Sequence, residues 1–293
     1  MELVKRNCPV CASELHKDLY KKKIYTREFK DHGPAAVKCK KCHMVYLNPV
    51  MSQDEYNKFY NENKQLEFVK SHIKNYDQQV WKETQRRVKI VRKIAKNFNM
   101  SLLDVGCGYG HFIEAISYYI FYVYGLDINK DRVLNSVNKG LKIFANDILT
   151  FDYSKQFDII TMFHSLEHML DCKGVAQKAH NLLKNEGLFV VEIPNINDIL
   201  LKIPTYKRFY FQNAHCSYFN LDTLNKLILP EGFVLKKVIP TQRYSLSNHL
   251  HWLFKRKPGN FKILRFLDRI YAKFLRKTKY YDTIVAIYKK EQK

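Results

Sequence analysis

The chain has 293 residues, of which 46% are hydrophobic and 14% aromatic, and this composition supports a packed core and excludes a disordered chain. A formal net charge of +22 predicts attraction to anionic partners, although solvated and dispersed lysines would give the same total. The N-terminus lacks the apolar core of a signal peptide and no apolar run is long enough to span a bilayer, so the sequence predicts a cytoplasmic protein.

Two Cys-x-x-Cys pairs lie near the start of the chain. They are Cys8 with Cys11 and Cys39 with Cys42, and 27 residues separate them. Four soft thiolates presented from two tight turns suit a tetrahedral Zn²⁺ and fill all its positions, which predicts a structural ion. A redox pair or a chance pairing is the alternative, but no thioredoxin-like pattern follows. We therefore assign residues 1–50 to a zinc-binding module.

Residues 51–98 are predicted to form a helical connector and the first long helix. Tyr56, Phe59 and Tyr60 recur at short helical spacing, and we expect the connector to lie against the main domain and cover a ligand. A second helical pattern runs from Tyr76 to Phe98. Its apolar positions are Val80, Trp81, Val88, Val91, Ile94, Ala95 and Phe98.

Strands and helices alternate through residues 99–293. The predicted strands are Leu102–Val105, Tyr122–Asp127, Lys142–Ala145, Phe157–Phe163, Gly187–Ile193, Phe233–Ile239 and Thr283–Tyr288. The predicted helices lie near His111–Ser117, Lys130–Lys139, Lys173–Leu183 and Asp222–Leu229. This alternation indicates the α/β class, with a largely parallel sheet covered by helices on both faces.

The run LLDVGCGYG over residues 102–110 places three glycines after the first predicted strand. Such a loop lets backbone approach a nucleotide-like ligand, and the following helix offers free N–H groups. Its third glycine, Gly110, comes one residue too early for the fingerprint of NAD enzymes. Asp127 ends the second strand, where an acid can accept hydrogen bonds from ribose hydroxyls.

Two further polar groups end neighbouring strands. Asp147 and Ile148 follow the third strand, where a carboxylate could accept the adenine amino proton and the isoleucine could pack on the ring. The run from Phe163 to His168 ends the fourth strand. Ligands bind at the carboxyl ends of strands in open α/β sheets, so these groups predict one site.

With these motifs the chain resembles class I S-adenosylmethionine (SAM)-dependent methyltransferases that carry an N-terminal zinc-binding domain. That group includes the sugar C-methyltransferases and relatives associated with surface polysaccharide and secondary metabolism. The matching segments are CPVC, KCKKC followed by MVYLNP, LLDVGCGYG, GLDI, HSLEHMLD, GLFVVEIPN, and AHCSYFNLDTLNKLI followed by GF. The resemblance implies a Rossmann-like seven-stranded methyltransferase sheet whose last strand inserts antiparallel.

The resemblance also implies a role for each residue of the cofactor site. The amino acid part of SAM would be held by Asp104, Gly106, Cys107, Gly108 and Gly110. Asp127 would bind the ribose, and Asp147 with Ile148 the adenine. Ile128 and Phe163 complete the predicted set.

Two histidines are candidates for a catalytic base, because histidine titrates near neutral pH. His168 matches a histidine of the fourth-strand motif in the sugar C-methyltransferases, and His215 matches the second histidine of their substrate site. Ala214 stands where those enzymes have glutamate, and their large C-terminal domain has no counterpart here. Methylation at oxygen, nitrogen or carbon therefore stays open, and a structural role is the alternative for each histidine.

A basic amphipathic segment occupies residues 255–280. Its apolar stripe comprises Ile263, Leu264, Leu267, Ile270, Tyr271 and Phe274. From Lys255 to Lys293 there are 13 cationic and three acidic residues. Such a helix can lie on an anionic membrane surface, or it can cover the sheet with its charged face solvated.

The sequence thus predicts SAM-dependent methyl transfer to a small molecule, with zinc as a structural ion. The expected acceptor is a saccharide or nucleotide-sugar intermediate, anionic or linked to a nucleotide or lipid, as in polysaccharide biosynthesis. An RNA methyltransferase is one alternative, since zinc ribbons precede some ribosomal RNA methyltransferases, but the lysines are dispersed and no RNA motif occurs. A non-catalytic scaffold is the other, and the intact glycine loop argues against it.

Overall fold

The computed structural model describes residues 2–20, 34–61, 76–259, 261 and 265–291. The predictions for Ile263 and Leu264, and for the part of the connector at 62–75, lie outside these ranges. The described chain forms a seven-stranded sheet, a four-stranded sheet and a two-stranded ladder.

The bounds of the elements are as follows. The strands are β1 Leu3–Val4, β2 His16–Tyr20, β3 Ala36–Cys39, β4 Val45–Leu47, β5 Val50–Met51, β6 Ser101–Val105, β7 Tyr122–Asp127, β8 Ile143–Ala145, β9 Phe157–Phe163, β10 Leu183–Pro194, β11 Ser217–Tyr218, β12 Phe233–Thr241 and β13 Thr283–Lys290. The helices are α1 Gln53–Asn61, α2 Tyr76–Arg92, α3 His111–Ile116, α4 Lys130–Val137, α5 Cys172–Leu182, α6 Pro204–Tyr210, α7 Leu221–Ile228, α8 Leu246–Lys255 and α9 Arg265–Leu275.

The large sheet has the strand order β12-β13-β10-β9-β6-β7-β8. Strands β8, β7, β6, β9 and β10 run parallel, and β13 lies antiparallel between β10 and β12. This arrangement confirms the predicted α/β class and the Rossmann-like seven-stranded sheet. It also confirms the predicted antiparallel insertion of the last strand, because β13, Thr283–Lys290, lies between β12 and β10.

Both faces of the large sheet are buried, which explains why its strands are nearly continuous apolar runs. In β6, Leu103 belongs to the core cluster formed with α5 and α7, while Leu102 belongs to the cluster formed with α2 and α3. In β9, Ile160 belongs to the first of these clusters and Ile159 to the second. Successive side chains of a strand point to opposite faces, so the helices cover both sides of this sheet.

The first long helix is shorter than predicted. It ends at Arg92, not at Phe98, and the Asn97 side-chain oxygen accepts a hydrogen bond from the Asn99 N–H in the turn that follows. Asparagine competes for backbone donors in this way and favours turns over helix. Trp81, one of the apolar positions of the predicted pattern, does not pack in the core, because its side chain is 62% exposed.

The N-terminal module shares its sheet with the second half of the chain. Strands β2, β3 and β4 pair antiparallel, and β11 adds to β4 through the pairs Ser217–Tyr46 and Tyr218–Val45. The Arg6 guanidinium then donates to the carbonyl of Leu170 at 3.2 Å, and also to the carbonyl of Cys216. The module is therefore built into the edge of the main domain where the β9 and β10 loops emerge.

Helices α8 and α9 fill the segment between β12 and β13. The Asp268 carboxylate accepts hydrogen bonds from the backbone N–H and the hydroxyl of Ser247, each at 3.2 Å. The His249 ring nitrogen Nδ1 lies 2.8 Å from the Tyr271 hydroxyl. Across the ranges that the structure describes, no helix is long and apolar enough to cross a membrane.

Candidate functional site

An open cleft lies at the carboxyl ends of the parallel strands. Ligands bind at this edge in open α/β sheets because the connecting loops diverge there. The structure brings together six of the predicted site residues in its wall, namely Gly106, Asp127, Ile128, Asp147, Ile148 and His168.

Asp127 is oriented by backbone donors on two sides. Its Oδ2 accepts a hydrogen bond from the Gly108 N–H at 2.8 Å, and its Oδ1 accepts one from the Asn129 N–H at 2.9 Å. The Asn129 side chain in turn donates to the carbonyl of Tyr60 at 2.6 Å. A carboxylate has about four acceptor sites, so two remain for a ligand that carries hydroxyl groups.

The glycine loop is pinned to the neighbouring strand. The N–H groups of Gly106 and Cys107 both donate to the carbonyl of Leu126, at 2.8 and 3.0 Å. Gly110 precedes α3 and occupies its N-terminal capping position without a side-chain cap. The loop reaches the cleft at Gly106, while Cys107, Gly108, Tyr109 and Gly110 lie outside the residues that line it.

Asp104 and Phe163 lie beneath the cleft. Asp104 is buried and accepts a hydrogen bond from the Thr161 hydroxyl at 2.6 Å, and burial raises its pKa to about 7. The Phe163 ring packs edge-on against Phe112 at 4.9 Å between centroids, in the core cluster behind the site. The structure thus places Phe163 in the core cluster and outside the residues that line the cleft.

The residues that follow the third strand of the parallel set, β8, also line the cleft. The Asp147 Oδ1 accepts a hydrogen bond from the Leu149 N–H at 2.9 Å, which holds this carboxylate in a tight turn. Ile148 is 1% exposed and joins the core cluster on one side while it lines the cleft on the other. This pairing of a carboxylate with an apolar surface is suited to a purine that offers an amino group.

His168 is held at the rim by two oxygens. Its Nδ1 lies 2.7 Å from the carbonyl of Ala214 and 2.7 Å from the Tyr60 hydroxyl. A carbonyl only accepts hydrogen bonds, so Nδ1 carries the proton and Nε2 keeps its lone pair. Burial lowers the pKa of His168 below its ordinary value of 6.5, and the charge of Glu167 opposes that change. The ring is therefore neutral at neutral pH.

His215 lies directly behind His168. The two ring centroids are 4.7 Å apart, but His215 is outside the residues that line the cleft. Burial, reinforced by the neighbouring His168, lowers the pKa of His215 to about 3. The structure thus brings both predicted histidines together and leaves His168 as the one in contact with a ligand space.

A buried ionic network supports this wall. Glu192 is fully buried and accepts hydrogen bonds from the guanidinium groups of Arg86 and Arg87 of α2, each at 2.9 Å. His164 Nδ1 lies 3.1 Å from Glu167 Oε1. Burial favours the neutral acid, but the hydrogen bond and charge of His164 outweigh it and lower the pKa of Glu167 to about 2. A fixed negative charge therefore stands beside the two histidines.

Several of these residues were not assigned from the sequence. Tyr60 and Arg132 line the cleft, and Asn129 joins Tyr60 to Asp127. Tyr60 meets His168 across 108 residues of chain, so no local pattern signals the pair. Asn129 by itself is typical of a helix N-cap, and it does accept a hydrogen bond from the Arg132 N–H at 2.8 Å.

The four cysteines of the module meet the geometric requirement for one metal ion. Their sulfur atoms all lie within 4.8 Å of one another, with Cys8 and Cys42 at 3.4 Å and Cys11 and Cys39 at 3.6 Å. Zn–S bonds of about 2.3 Å place tetrahedral sulfurs about 3.8 Å apart, so the cluster fits Zn²⁺. The residue after each pair donates its N–H back to the carbonyl of the first cysteine, which forms two equivalent knuckles.

Comparison with known proteins agrees with this geometry. A family profile described as "Methyltransferase domain" matches residues 76–238. The Ubiquinone biosynthesis O-methyltransferase of Glaesserella parasuis serovar 5 is 32% identical over 110 residues, which are 33% of this chain and 47% of that protein. The chain spans about half the length of the curated relatives it matches, at 47% and 53% for two of them.

Two solved structures illustrate the likeness in fold. Magnesium protoporphyrin IX methyltransferase from Synechocystis PCC 6803, with bound SAH, has a TM-score of 0.55 and 11% identity over 82% of this chain and 100% of that one. A SAM dependent methyltransferase from Archaeoglobus fulgidus has a TM-score of 0.50 and 19% identity over 71% of this chain and 94% of that one. At these identities the likeness concerns the fold alone.

Proposed function

The chain belongs to the methyltransferase-domain family, and from this premise we propose that it transfers the methyl group of SAM to a small-molecule acceptor. The observation that carries the proposal is the Asp127 carboxylate, which the Gly108 and Asn129 N–H groups orient at the carboxyl edge of the sheet. When bound, SAM supplies an electrophilic methyl group, so the protein's task is mainly to position a nucleophile and take its proton.

The cofactor would be held along one wall of the cleft. Asp127 would accept hydrogen bonds from the ribose hydroxyls with its remaining lone pairs. Asp147 would accept from the adenine amino group while Ile148 packs against the ring, and the loop at 106–110, which reaches the cleft at Gly106, would lie beside the amino acid part. Gly106, Asp127, Asp147 and Ile148 all line the same cleft, which supports a single extended ligand.

We propose His168 as the general base. The Ala214 carbonyl fixes the proton on Nδ1, so Nε2 is the atom that would take a proton from the acceptor. The neutral ring is available at neutral pH, and the fixed charge of Glu167 would stabilise the imidazolium that forms. The Tyr60 hydroxyl, 2.7 Å from Nδ1, would hold the ring in place.

A hydroxyl group of a saccharide or nucleotide-sugar intermediate is the acceptor we propose. The resemblance to sugar C-methyltransferases supports a saccharide, and the name of the relative from Glaesserella parasuis supports transfer to oxygen. The net charge of +22 favours an anionic form of such a molecule.

Formation of S-adenosylhomocysteine from SAM, followed by mass spectrometry over a panel of nucleotide sugars, tests the proposal. We expect turnover with at least one anionic saccharide, and we expect His168→Gln to reduce turnover by roughly 100-fold or more while SAM affinity stays near that of the unaltered protein. SAM binding without turnover on any acceptor would favour a scaffold. Turnover on RNA alone, with steeply salt-dependent binding, would overturn the small-molecule acceptor.

We further propose that Cys8, Cys11, Cys39 and Cys42 hold a structural Zn²⁺. The close approach of the four sulfurs and the two knuckles support a closed site with no position for a substrate. Metal analysis of the purified protein should find one zinc per chain. Cys39→Ser should lose it, while Cys107→Ser, which alters a thiol outside the cluster, should keep it.

A further inference from the structure

Helix α9 displays a row of large apolar side chains to solvent. Phe266, Ile270 and Phe274 are 70%, 66% and 63% exposed, and their spacing of four residues places them on one face of the helix. We call these three residues the α9 apolar stripe. On the neighbouring helix, Leu253 and Phe254 are 56% and 68% exposed. Single exposed apolar residues are ordinary, whereas an ordered row of them marks an interaction surface.

The helix that carries the stripe is anchored by its other side. Leu275 is 1% exposed, and Tyr271 meets His249 of α8 at 2.8 Å. Asp268 accepts two hydrogen bonds from Ser247 at the start of α8. Because this buried side already satisfies the packing of α9, the stripe is a second apolar surface that the described fold does not use.

Cationic side chains surround the stripe. The exposed ones on α9 and just after it are Arg269, Lys273, Arg276 and Lys277, and those at the end of α8 and just after it are Lys255, Arg256 and Lys257. Between residues 253 and 279 the sequence has one acid, Asp268, and its carboxylate accepts a hydrogen bond from the Ser247 N–H. The surface therefore combines apolar side chains with a strongly positive field.

We propose that the α9 apolar stripe docks this protein on an anionic membrane surface. An apolar row flanked by Lys and Arg is suited to lie in the plane of the interface, with the apolar side chains among the acyl chains and the cations against lipid phosphates. With 11 residues, α9 is too short to span a bilayer, so it would bind one leaflet. This docking is a further property, separate from methyl transfer.

Charge and side-chain type favour lipid over two other occupants. A second copy of the chain, paired through a two-fold axis, would bring the two cationic clusters face to face without acids to neutralise them. Single-stranded RNA would match the charge, but Ile270 and Leu253 have no aromatic face on which a base could stack. An anionic bilayer satisfies both the apolar row and the cations.

Docking would also orient the cleft. Trp252 of α8 packs edge-on against Tyr206 of α6 at 5.2 Å between centroids. Both rings belong to the core cluster that contains Tyr56, and Tyr56 lines the cleft. The docked face and the cleft thus share one packed cluster, which suits an acceptor presented from the membrane surface.

Co-sedimentation with vesicles tests the proposal. The full chain should bind vesicles of about equal parts phosphatidylglycerol and phosphatidylcholine at least roughly tenfold more tightly than vesicles of phosphatidylcholine alone. The triple variant Phe266→Ser, Ile270→Ser, Phe274→Ser should lose roughly tenfold or more of this binding. The variant Phe98→Ser, Tyr118→Ser, Phe121→Ser removes a similar exposed apolar area elsewhere and should bind within about twofold of the unaltered chain.

A charge variant separates the electrostatic contribution to vesicle binding from the apolar one. Arg269→Gln, Lys273→Gln, Lys277→Gln should weaken binding to anionic vesicles, whereas Lys17→Gln, Lys139→Gln, Lys155→Gln, with the same change in net charge, should weaken it far less. Absence of vesicle binding, or equal losses in stripe and control variants, would overturn the proposal. So would a dimer in light scattering that the stripe variant dissociates. SAM binding, measured in parallel, should be unchanged in all four variants. A negative result for vesicle binding would therefore leave the methyltransferase proposal to be judged by SAM binding and turnover alone.

Discussion

Asp127 has half of its acceptor capacity committed before any ligand arrives. The Gly108 and Asn129 N–H groups occupy one site on each oxygen, and they fix the plane of the carboxylate. A preoriented acceptor loses little freedom on binding, so its contribution to affinity is expected to be large for one side chain. His168 is oriented in the same way, by the carbonyl of Ala214.

Asp127→Asn should weaken SAM binding by about 1–3 kcal/mol, because the amide keeps the size of the side chain but removes the charged acceptor. Isothermal titration calorimetry measures the change. Asp152→Asn is the matched control, since Asp152 is exposed and undergoes the same loss of charge. Equal affinities for both variants and the unaltered chain would contradict the assignment of Asp127 to the ribose.

The pH dependence of kcat/KM should report the protonation of His168. The base must be neutral, and burial keeps its pKa below 6.5, so the rate should be level near neutral pH and fall on acidification below that value. The Glu167 charge favours the imidazolium and raises the pKa of His168, so Glu167→Gln should move the acid limb to lower pH. An acid limb that stays in place, in a variant whose circular dichroism shows a native fold, would contradict this coupling.

At the level of elements, the loop between β6 and α3 is the segment that we propose lies beside the cofactor. Gly108 has a φ of +57° and no protein atom within 4 Å of the position that a Cβ would take. Gly140, just after α4, has a φ of +82° and is equally unobstructed, but only Gly108 donates its N–H to Asp127. The two glycines therefore share the same backbone requirement in different surroundings.

Gly108→Ala and Gly140→Ala should each lower the free energy of unfolding by about 1–2 kcal/mol, the cost of a left-handed alanine. Only Gly108→Ala should also weaken SAM binding, because its new methyl group would project from the cofactor loop. Denaturant unfolding and calorimetry on both variants measure the two effects. Equal SAM affinity in the two variants would argue that the loop does not contact the cofactor.

Across the whole molecule, the cysteine module and the large sheet share one buried core cluster. Cys8, Cys39 and Cys42 belong to the same buried cluster as Leu103 of β6 and Phe219 next to β11. Strand β11 pairs with β4 of the module, and the loop that precedes it carries Ala214, which holds His168. Destabilising the module should therefore also disturb the position of His168 in the cleft.

Removal of the proposed Zn²⁺ by a chelator should lower the midpoint of a single thermal transition and reduce turnover with it, because the ion would stabilise the strands against which β11 packs. Calorimetry with and without the chelator measures the shift, and stoichiometric Zn²⁺, but not Mg²⁺, should restore it. Two separate transitions, with the larger one unmoved by the chelator, would show that the module unfolds on its own.

Local sequence patterns were sufficient to predict the fold class, the bounds of the seven strands to within a few residues, the glycine loop with Asp127, and the two cysteine pairs. These features depend on residues close together in the chain, where apolar periodicity and spacing act directly. Helix α2 shows the limit of that reasoning, because Asn97 ends the pattern in a turn and Trp81 faces solvent.

Only the folded structure shows which distant side chains are in contact. It placed Tyr60 on His168, set His168 and not His215 in the wall of the cleft, and put Phe163 in the core. It also added β11 to the sheet of the module. Each of these outcomes follows from contacts between residues far apart in the chain, and local periodicity carries no information about which distant surfaces pack together.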